Sequence, residues 1–459
     1  MERPMTQEHG GDSAQPASRY LSEIASRAEA YREDMAGLLS ELVKIPSVSP
    51  KYPGEDLDAH LGKEGDVARK LAEVFEGTGI ELDFWEHEPK RTNVAAIKRG
   101  IGGGKSLIYN GHTDVVPPGD PSKWTETDPY SGRYDGERVW GRGATDMKAG
   151  LVAQAYAAKI LDELGVKLKG DLIVEAVVGE ETMDHEAGTG SAISRGYVAD
   201  GAVVTEPSSP EPLSVAPHSA GLLWFELEIK GKRTHASMRG QSIHASGGGP
   251  EVGVNAIDKA FIIYEALMRL EREWAFTKTH PDYVPGHFSI LPGAIKGGPI
   301  FGEMVPFQLS EITVIDYLIW YPPQDDPAEV RKEIEEFIHH VASTDAWLRE
   351  NPPIITWKQN WPANNPGEAS DELVDAVVRA HRLGSVGTPF ESMAEKLGFL
   401  AVCDATFLTE KGIPAVSYGP GDIGVAHADN EFASVDEVVM AAKTLALLAI
   451  DWCGDATDE

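Results

Sequence analysis

The sequence predicts an α/β protein into which a second, antiparallel α+β domain is inserted. Helical and strand periodicities alternate across short loops from residue 20 to about 217, as in layered α/β domains. Between 218 and 358 the order becomes β-α-β-β-α-β, that of a ferredoxin-like unit, and α/β alternation then returns. At 459 residues the chain is long for one hydrophobic core. It therefore divides into a flexible tail (1–18), a main domain in two parts (19–217 and 359–459) and the inserted domain (218–358).

From Tyr20 to Val43 apolar residues such as Ile24, Ala28, Met35, Leu39 and Leu42 recur at helical spacing, which predicts one amphipathic helix. A second helix is expected over Gly65 to Gly77, then strands near Ile80 to Trp85 and Asn93 to Lys98. Leu107 to Asn110 is an apolar strand that runs into Gly111, and His112 and Asp114 follow two positions apart, on one side of an extended chain. A helix over Met147 to Leu164 begins directly after Asp146. The buried strand Asp171 to Val178 ends in Gly179-Glu180-Glu181, and the strand Gly201 to Val204 ends in Thr205-Glu206.

In the inserted domain Leu223, Phe225, Leu227 and Ile229 alternate with polar residues and Trp224, as in a half-exposed strand. A helix from Val254 to Trp274, strands near His287 to Leu291 and Ile312 to Trp320, a helix from Pro327 to Ala342 and a strand near Ile354 to Trp357 complete it. Beyond it we expect helices over Glu372 to His381 and Glu391 to Phe399, and a loop at Cys403 to Leu408. A strand at Ala415 to Tyr418 and a closing helix from Val435 to Trp452 end the chain.

The balance of 73 acidic against 41 basic residues leaves a formal charge of −32, which repels nucleic acid and anionic lipid, so neither is expected as a partner. The N-terminus is polar, without the apolar segment of a signal peptide, and no run approaches the roughly 18 apolar residues of a membrane span. Two cysteines, Cys403 and Cys453, are too few for a disulfide framework or a cysteine zinc site. A cytoplasmic setting follows as an expectation.

Potential ligands recur at successive element junctions: His112, Asp146, Glu181, Glu206 and His427. Singly, Asp146 reads as a helix cap, Glu206 as a surface carboxylate and His235 as a satisfied polar side chain. Jointly, two imidazoles and three carboxylates suit borderline divalent ions, and five ligands with one able to bridge suit two ions about 3.5–4 Å apart. Such a pair acidifies water and polarises a carbonyl. Glu180, beside a ligand, is then placed to carry a proton to a leaving nitrogen, and Asp114 to orient His112.

The segments HTDVVP, GRGATDMKAG, GEET, TEPS and AHADNEF, in this order and spacing, resemble those of the M20 metallopeptidase and deacylase family. That family includes acetylornithine deacetylase, succinyl-diaminopimelate desuccinylase, aminoacylase and glutamate carboxypeptidase. The resemblance covers the chain from about residue 30. It implies a three-layer α/β catalytic domain with the inserted segment as lid and dimerisation domain, hence a homodimer or higher homo-oligomer. It implies hydrolysis of an amide C–N bond in a small N-acyl compound with two divalent ions: Zn²⁺ first, Mn²⁺ or Co²⁺ otherwise. By the same resemblance Asp146 bridges the ions, His112 with Glu206 serves one and Glu181 with His427 the other. Glu180 is the general base, and His235 matches the lid histidine that reaches across a dimer to the oxyanion. Two departures bear on the substrate. Leu318 stands where many relatives carry an Arg that grips a substrate carboxylate, and Gly302-Glu303 lies where an Asn is common. A dipeptidase or carboxypeptidase, a hydrolase of an aromatic or cyclic amide or aryl amine, and a silent binding protein of this fold are the alternatives. Arg233, Arg239 and Lys296 are candidate replacements for the missing Arg, though each reads first as a solvated charge.

Overall fold

The computed structural model describes residues 16–208, 211–298, 306–392 and 395–457. Most of the tail, and Gly302-Glu303, lie outside the described residues, but Pro16–Tyr20 forms a helical turn in which Ala17 and Tyr20 are buried. In chain order the strands are β1 (Glu81–Glu86), β2 (Thr92–Lys98), β3 (Leu107–Asn110), β4 (Arg133–Tyr134), β5 (Arg138–Trp140), β6 (Leu172–Ala176) and β7 (Ala202–Val204). They continue with β8 (Gly221–Lys230), β9 (Ile290–Gly298), β10 (Ile312–Tyr321), β11 (Ile354–Trp361), β12 (Ala415–Ser417) and β13 (Phe432–Ser434). The chain separates into two compact units: 1–215 with 367–396 and 407–459, and 216–366 with 397–406. The short stretch 397–406 thus belongs with the inserted unit, whereas sequence alone assigned it to the main domain.

The first unit is built on a six-stranded sheet of order β1-β2-β6-β3-β7-β12. Strands β6, β3, β7 and β12 are mutually parallel, and β2 and β1 extend one edge in antiparallel fashion. Strands β3 and β6 are buried at every position, as expected where both sheet faces are covered. Alternate residues divide between the faces: Leu107 and Tyr109 of β3, and Leu172, Val174 and Ala176 of β6, join the core formed with helices Ala149–Glu163 and Val435–Cys453. The latter helix is buried nearly all round, which is why its sequence lacks a polar stripe. On the other face the Asn110 amide nitrogen donates to Glu175 Oε2 and to Thr189 at the start of helix Thr189–Arg195, so that buried donor is paired.

A small antiparallel sheet of order β13-β5-β4 stands apart and leads the chain into the Gly141-Arg142-Gly143 turn. The expected single N-terminal helix is two, Leu21–Ala30 and Arg32–Val43, divided at Tyr31. Residues 403–408, expected as a loop, contain most of the helix Ala405–Glu410. The helix expected from Glu391 does not form among the described residues; Lys396 and Phe399 instead bridge to Val215 and Ser219.

The second unit has a four-stranded antiparallel sheet of order β11-β8-β10-β9 with helices Ala256–Thr277 and Pro327–Thr344 on one face. Numbered along the unit, that order is 4-1-3-2, the ferredoxin-like arrangement. Phe225, Leu227 and Ile229 meet Ile263, Leu267, Ile334 and Ile338 in its core.

Close approach makes one glycine indispensable. A Cβ on Gly150, in the first turn of Ala149–Glu163, would lie 2.0 Å from the Thr205 carbonyl oxygen. Helix propensity favours alanine by about 1 kcal/mol, but neither backbone can yield, so Gly150→Ala is expected to destabilise the first unit by about 1–3 kcal/mol net. Urea denaturation with a lowered midpoint and unchanged slope is the expected result; an unshifted midpoint contradicts this packing.

Candidate metal centre

Parallel strands deliver their carboxyl ends to one edge of the sheet, where open α/β sheets place ligands. The ends of β3, β6 and β7 lead to His112, to Glu180 and Glu181, and to Glu206; the loop after β12 leads to His427. His112 is buried, and its Nδ1 lies 2.9 Å from the Asp114 carbonyl oxygen. A carbonyl only accepts, so Nδ1 carries the proton and Nε2 is left to face a ligand. Nε2 lies 3.2 Å from Asp146 Oδ1 and 3.8 Å from both Glu206 Oε1 and Glu180 Oε2.

Asp146 sits in an irregular turn, Ala144–Lys148, where its backbone leaves helical values (φ −121°, ψ 95°) and its peptide bond to Met147 is cis. Its second oxygen, Oδ2, is 3.2 Å from Nε2 of His427, which is itself 3.2 Å from Glu181 Oε2. One carboxylate therefore addresses both imidazoles through different oxygens. Two ligand groups result, His112–Asp146–Glu206 and Asp146–Glu181–His427, each with its ligand atoms within 4.8 Å of one another.

Supporting residues hold these loops. Glu431, fully buried, accepts from the amides of Thr145 (3.0 Å) and Asp146 (3.2 Å) through Oε1, and from Arg142 through Oε2. Arg142 also donates to the His427 carbonyl oxygen at 3.1 Å. The Asp114 carboxylate accepts from the amides of Gly179 (2.9 Å) and Glu181 (3.1 Å). Its Oδ1 is 3.7 Å from His112 Nδ1, so the ring is held by the Asp114 carbonyl and the carboxylate shapes the Glu180–Glu181 turn instead. Gly179, at φ 90°, makes that turn possible. Arg91 bridges Glu64 and Asp184 behind it. Sequence reasoning missed Arg142, Glu431 and Arg91 as contributors; the glycines flanking Arg142 were the available signal.

His112, Asp146, Glu180, Glu181, Glu206 and His427 are thus assembled in the first unit. His235 belongs to the second, exposed before the turn Ala236–Met238, with its ring against Ser237. Arg233, Arg239 and Lys296 are exposed. Leu318 is half-buried in β10, in register with Trp224 and Leu291.

The charges fit divalent cations. In the protein alone Glu181 raises His427 to about 12, burial opposing and Asp146 adding to the effect. Burial opposes the charged form of His112, but Asp146, Glu206 and Glu180 carry it well above its ordinary range. Burial would raise Asp146, yet the two imidazoles hold it low. Burial raises the Asp114 carboxyl to about 7, with His112 pulling the other way. The carboxylates demand positive charge between them, and the buried Glu181 Oε1 has no hydrogen-bond partner. The set of nitrogen and carboxylate donors fits two borderline divalent ions.

The comparisons give the family. Residues 108–451 match the model of peptidase family M20/M25/M40, and the chain belongs to that family. It is accordingly a hydrolase acting on amide C–N bonds, in a family whose members include dinuclear metal enzymes. The chain is 33% identical over 444 residues to an N-formyl-4-amino-5-aminomethyl-2-methylpyrimidine deformylase of Halalkalibacterium halodurans, covering 94% of this chain and 97% of that protein. It is 33% identical over 212 residues to a succinyl-diaminopimelate desuccinylase of Paracoccus denitrificans, covering 44% and 51%. Human carnosine dipeptidase 1 shares the fold, with a TM-score of 0.70 at 14% identity over 95% of this chain and 99% of its own.

Protons and metal compete for the same nitrogens. A histidine raised in the folded state stabilises it fully below the ordinary value of 6.5, and that stability is lost as pH rises through about 12. Near neutrality both imidazoles are therefore protonated in the protein alone, and loading divalent metal is expected to release about two protons per chain and to weaken as pH falls. Calorimetric titration with Zn²⁺ in buffers of different ionisation enthalpy measures this; loading without proton release contradicts it.

Proposed function

We propose that the chain removes a small acyl group, formyl first, from the amine of an aromatic, pyrimidine-like compound, using two divalent ions. The substrate reading rests on full-length similarity to the deformylase, whose printed name describes such an amide. The departure at Leu318, where the family resemblance leads one to expect a carboxylate-gripping Arg, supports it.

The two ligand groups would hold the ions, with Asp146 shared. Two ions there supply Lewis acidity, polarising the amide carbonyl and acidifying water. Glu180, with Oε2 3.8 Å from the His112 ring, takes a proton from the attacking water and returns it to the leaving nitrogen. Formate and the free amine leave, with one water consumed. Asp114 fixes the turn that aims Glu180, and His235 donates to the oxyanion from a neighbouring subunit. Zn²⁺ is the first choice of metal, then Mn²⁺ or Co²⁺.

A homodimer through the second unit belongs to the same reading. Its edge strand β9 exposes Leu291 and Ile295, and Ile295 and Phe261 line a cavity of about 300 Å³. Cytoplasmic residence also belongs to it, supported by two buried free thiols, Cys403 and Cys453.

Glu180→Gln is expected to keep its metal content and lose about 10²–10⁴-fold in kcat; near-native turnover contradicts the role. Assayed beside N-acyl amino acids and dipeptides, an N-formyl aminomethylpyrimidine is expected to show the highest kcat/KM. A carboxylate-bearing amino acid derivative in first place would reverse the substrate reading. Sedimentation is expected to give a dimer that Phe261→Glu dissociates with loss of turnover. A fully active monomer removes the case for His235 acting across subunits.

A further inference from the structure

We propose that the second unit carries a metal site of its own, in which His218, His280 and Asp282 bind a third divalent ion of the Zn²⁺ or Co²⁺ type. None of the three belongs to the two ligand groups of the first unit. His218 Nδ1 lies 2.9 Å from Asp282 Oδ2, and His280 Nδ1 lies 4.0 Å from the same oxygen. The ligand atoms of all three fall within 4.8 Å of one another. Tetrahedral bonds of about 2.0–2.1 Å separate neighbouring ligand atoms by about 3.4 Å. The observed spacings bracket that value, so small side-chain rotations suffice.

The protonation pattern suits a cation. His280 Nδ1 accepts the Asp282 backbone N–H at 3.2 Å, so this nitrogen carries a lone pair and not a proton, and an ion would take that lone pair in place of the long amide contact. His218 Nδ1 donates to Asp282, and that proton is the one an ion would displace. Two imidazoles and a carboxylate favour borderline ions over Ca²⁺ or Mg²⁺, and three protein ligands leave a fourth position for water.

The site is also built rigidly. The side chains of His218, His280 and Asp282 are 14%, 14% and 16% exposed, open enough to admit an ion yet largely withdrawn from water. The Tyr283 hydroxyl donates to the carbonyls of His218 (3.2 Å) and Phe399 (3.0 Å). Phe399 N donates to the His218 carbonyl at 2.8 Å, and Gly398 N to that of Asp282 at 2.8 Å. Gly398 is obligatory, since a Cβ there would lie 2.2 Å from the Tyr283 ring. An ion at this junction would lock the chain entering β8 to the loop before β9, where residues 397–400 already clasp both.

The test counts Co²⁺ in the full-length enzyme after chelator treatment and reloading. His280→Gln and Asp282→Asn are each expected to bind one ion fewer per chain than wild type, with turnover retained. Asp146→Ala, which removes the shared ligand of the first unit, is expected to keep one ion with a tetrahedral cobalt spectrum, and Asp146→Ala/His280→Gln to lose it. Equal counts in wild type and both second-unit variants overturn the proposal, as does a cobalt-free Asp146→Ala protein that melts cooperatively. Failure of the deacylase reading would change turnover without changing this one-ion difference.

Discussion

A single buried ion pair holds both halves of the candidate metal centre. Glu431 takes the amides of Thr145 and Asp146 on one oxygen and Arg142 on the other, and Arg142 reaches on to the His427 carbonyl. The shared aspartate and one imidazole therefore hang on one carboxylate. A buried pair of this kind adds little net stability, since desolvation offsets attraction, but removing one partner costs about 3–5 kcal/mol because it strands the other charge. Burial raises Glu431 to about 6, and the Arg142 guanidinium with the Asp146 amide works against that rise. The pair is best understood as a positional device: every lone pair it uses points at a segment that carries a ligand.

From this constraint the rest of the site follows. Adjacent parallel strands bring carboxylates to one edge, and like charges gathered out of water repel strongly. His112 and His427 relieve part of the repulsion by taking protons, which is why both are raised. Metal ions relieve more, since each carries two charges and accepts the oxygens directly. Covered sheet faces, the close approach at Gly150 and the Asp114 anchor beneath the Glu180 turn hold these segments in place. Carboxylates gathered in this way attract cations.

Much of this was legible in the residues, and the reasons differ by element. Buried strands such as Leu172–Ala176 read as apolar runs, and the inserted unit announced itself through the alternation of Gly221–Lys230. The candidate ligands were legible as a group because they recur where strands end. Arg142 and Glu431 were not paired in advance, because 289 positions separate them and only the fold makes them neighbours. The role of Asp114 shifted because a carbonyl and a carboxylate of one residue compete for the same ring, a choice set by fractions of an ångström. Ala405–Glu410 is six residues long, too short to show a helical period, and the break at Tyr31 leaves the apolar spacing on either side in phase.

Within the second unit, β10 shows how Leu318 fits its surroundings. Asp316, Leu318 and Trp320 alternate along one face, and Asp316 already receives the Trp224 indole N–H at 2.9 Å. An arginine at 318 would find that carboxylate engaged and an indole and Leu291 beside it, surroundings that favour an apolar side chain. The change to leucine is thus matched by its neighbours rather than isolated among them. Discrimination between acyl compounds depends on polar groups left unpaired by the wrong substrate, which can reach about 10⁴-fold or more, whereas apolar fit alone yields about 10–200-fold. The face formed by Asp316, Leu318 and Trp320 offers no cation with which a carboxylate could pair.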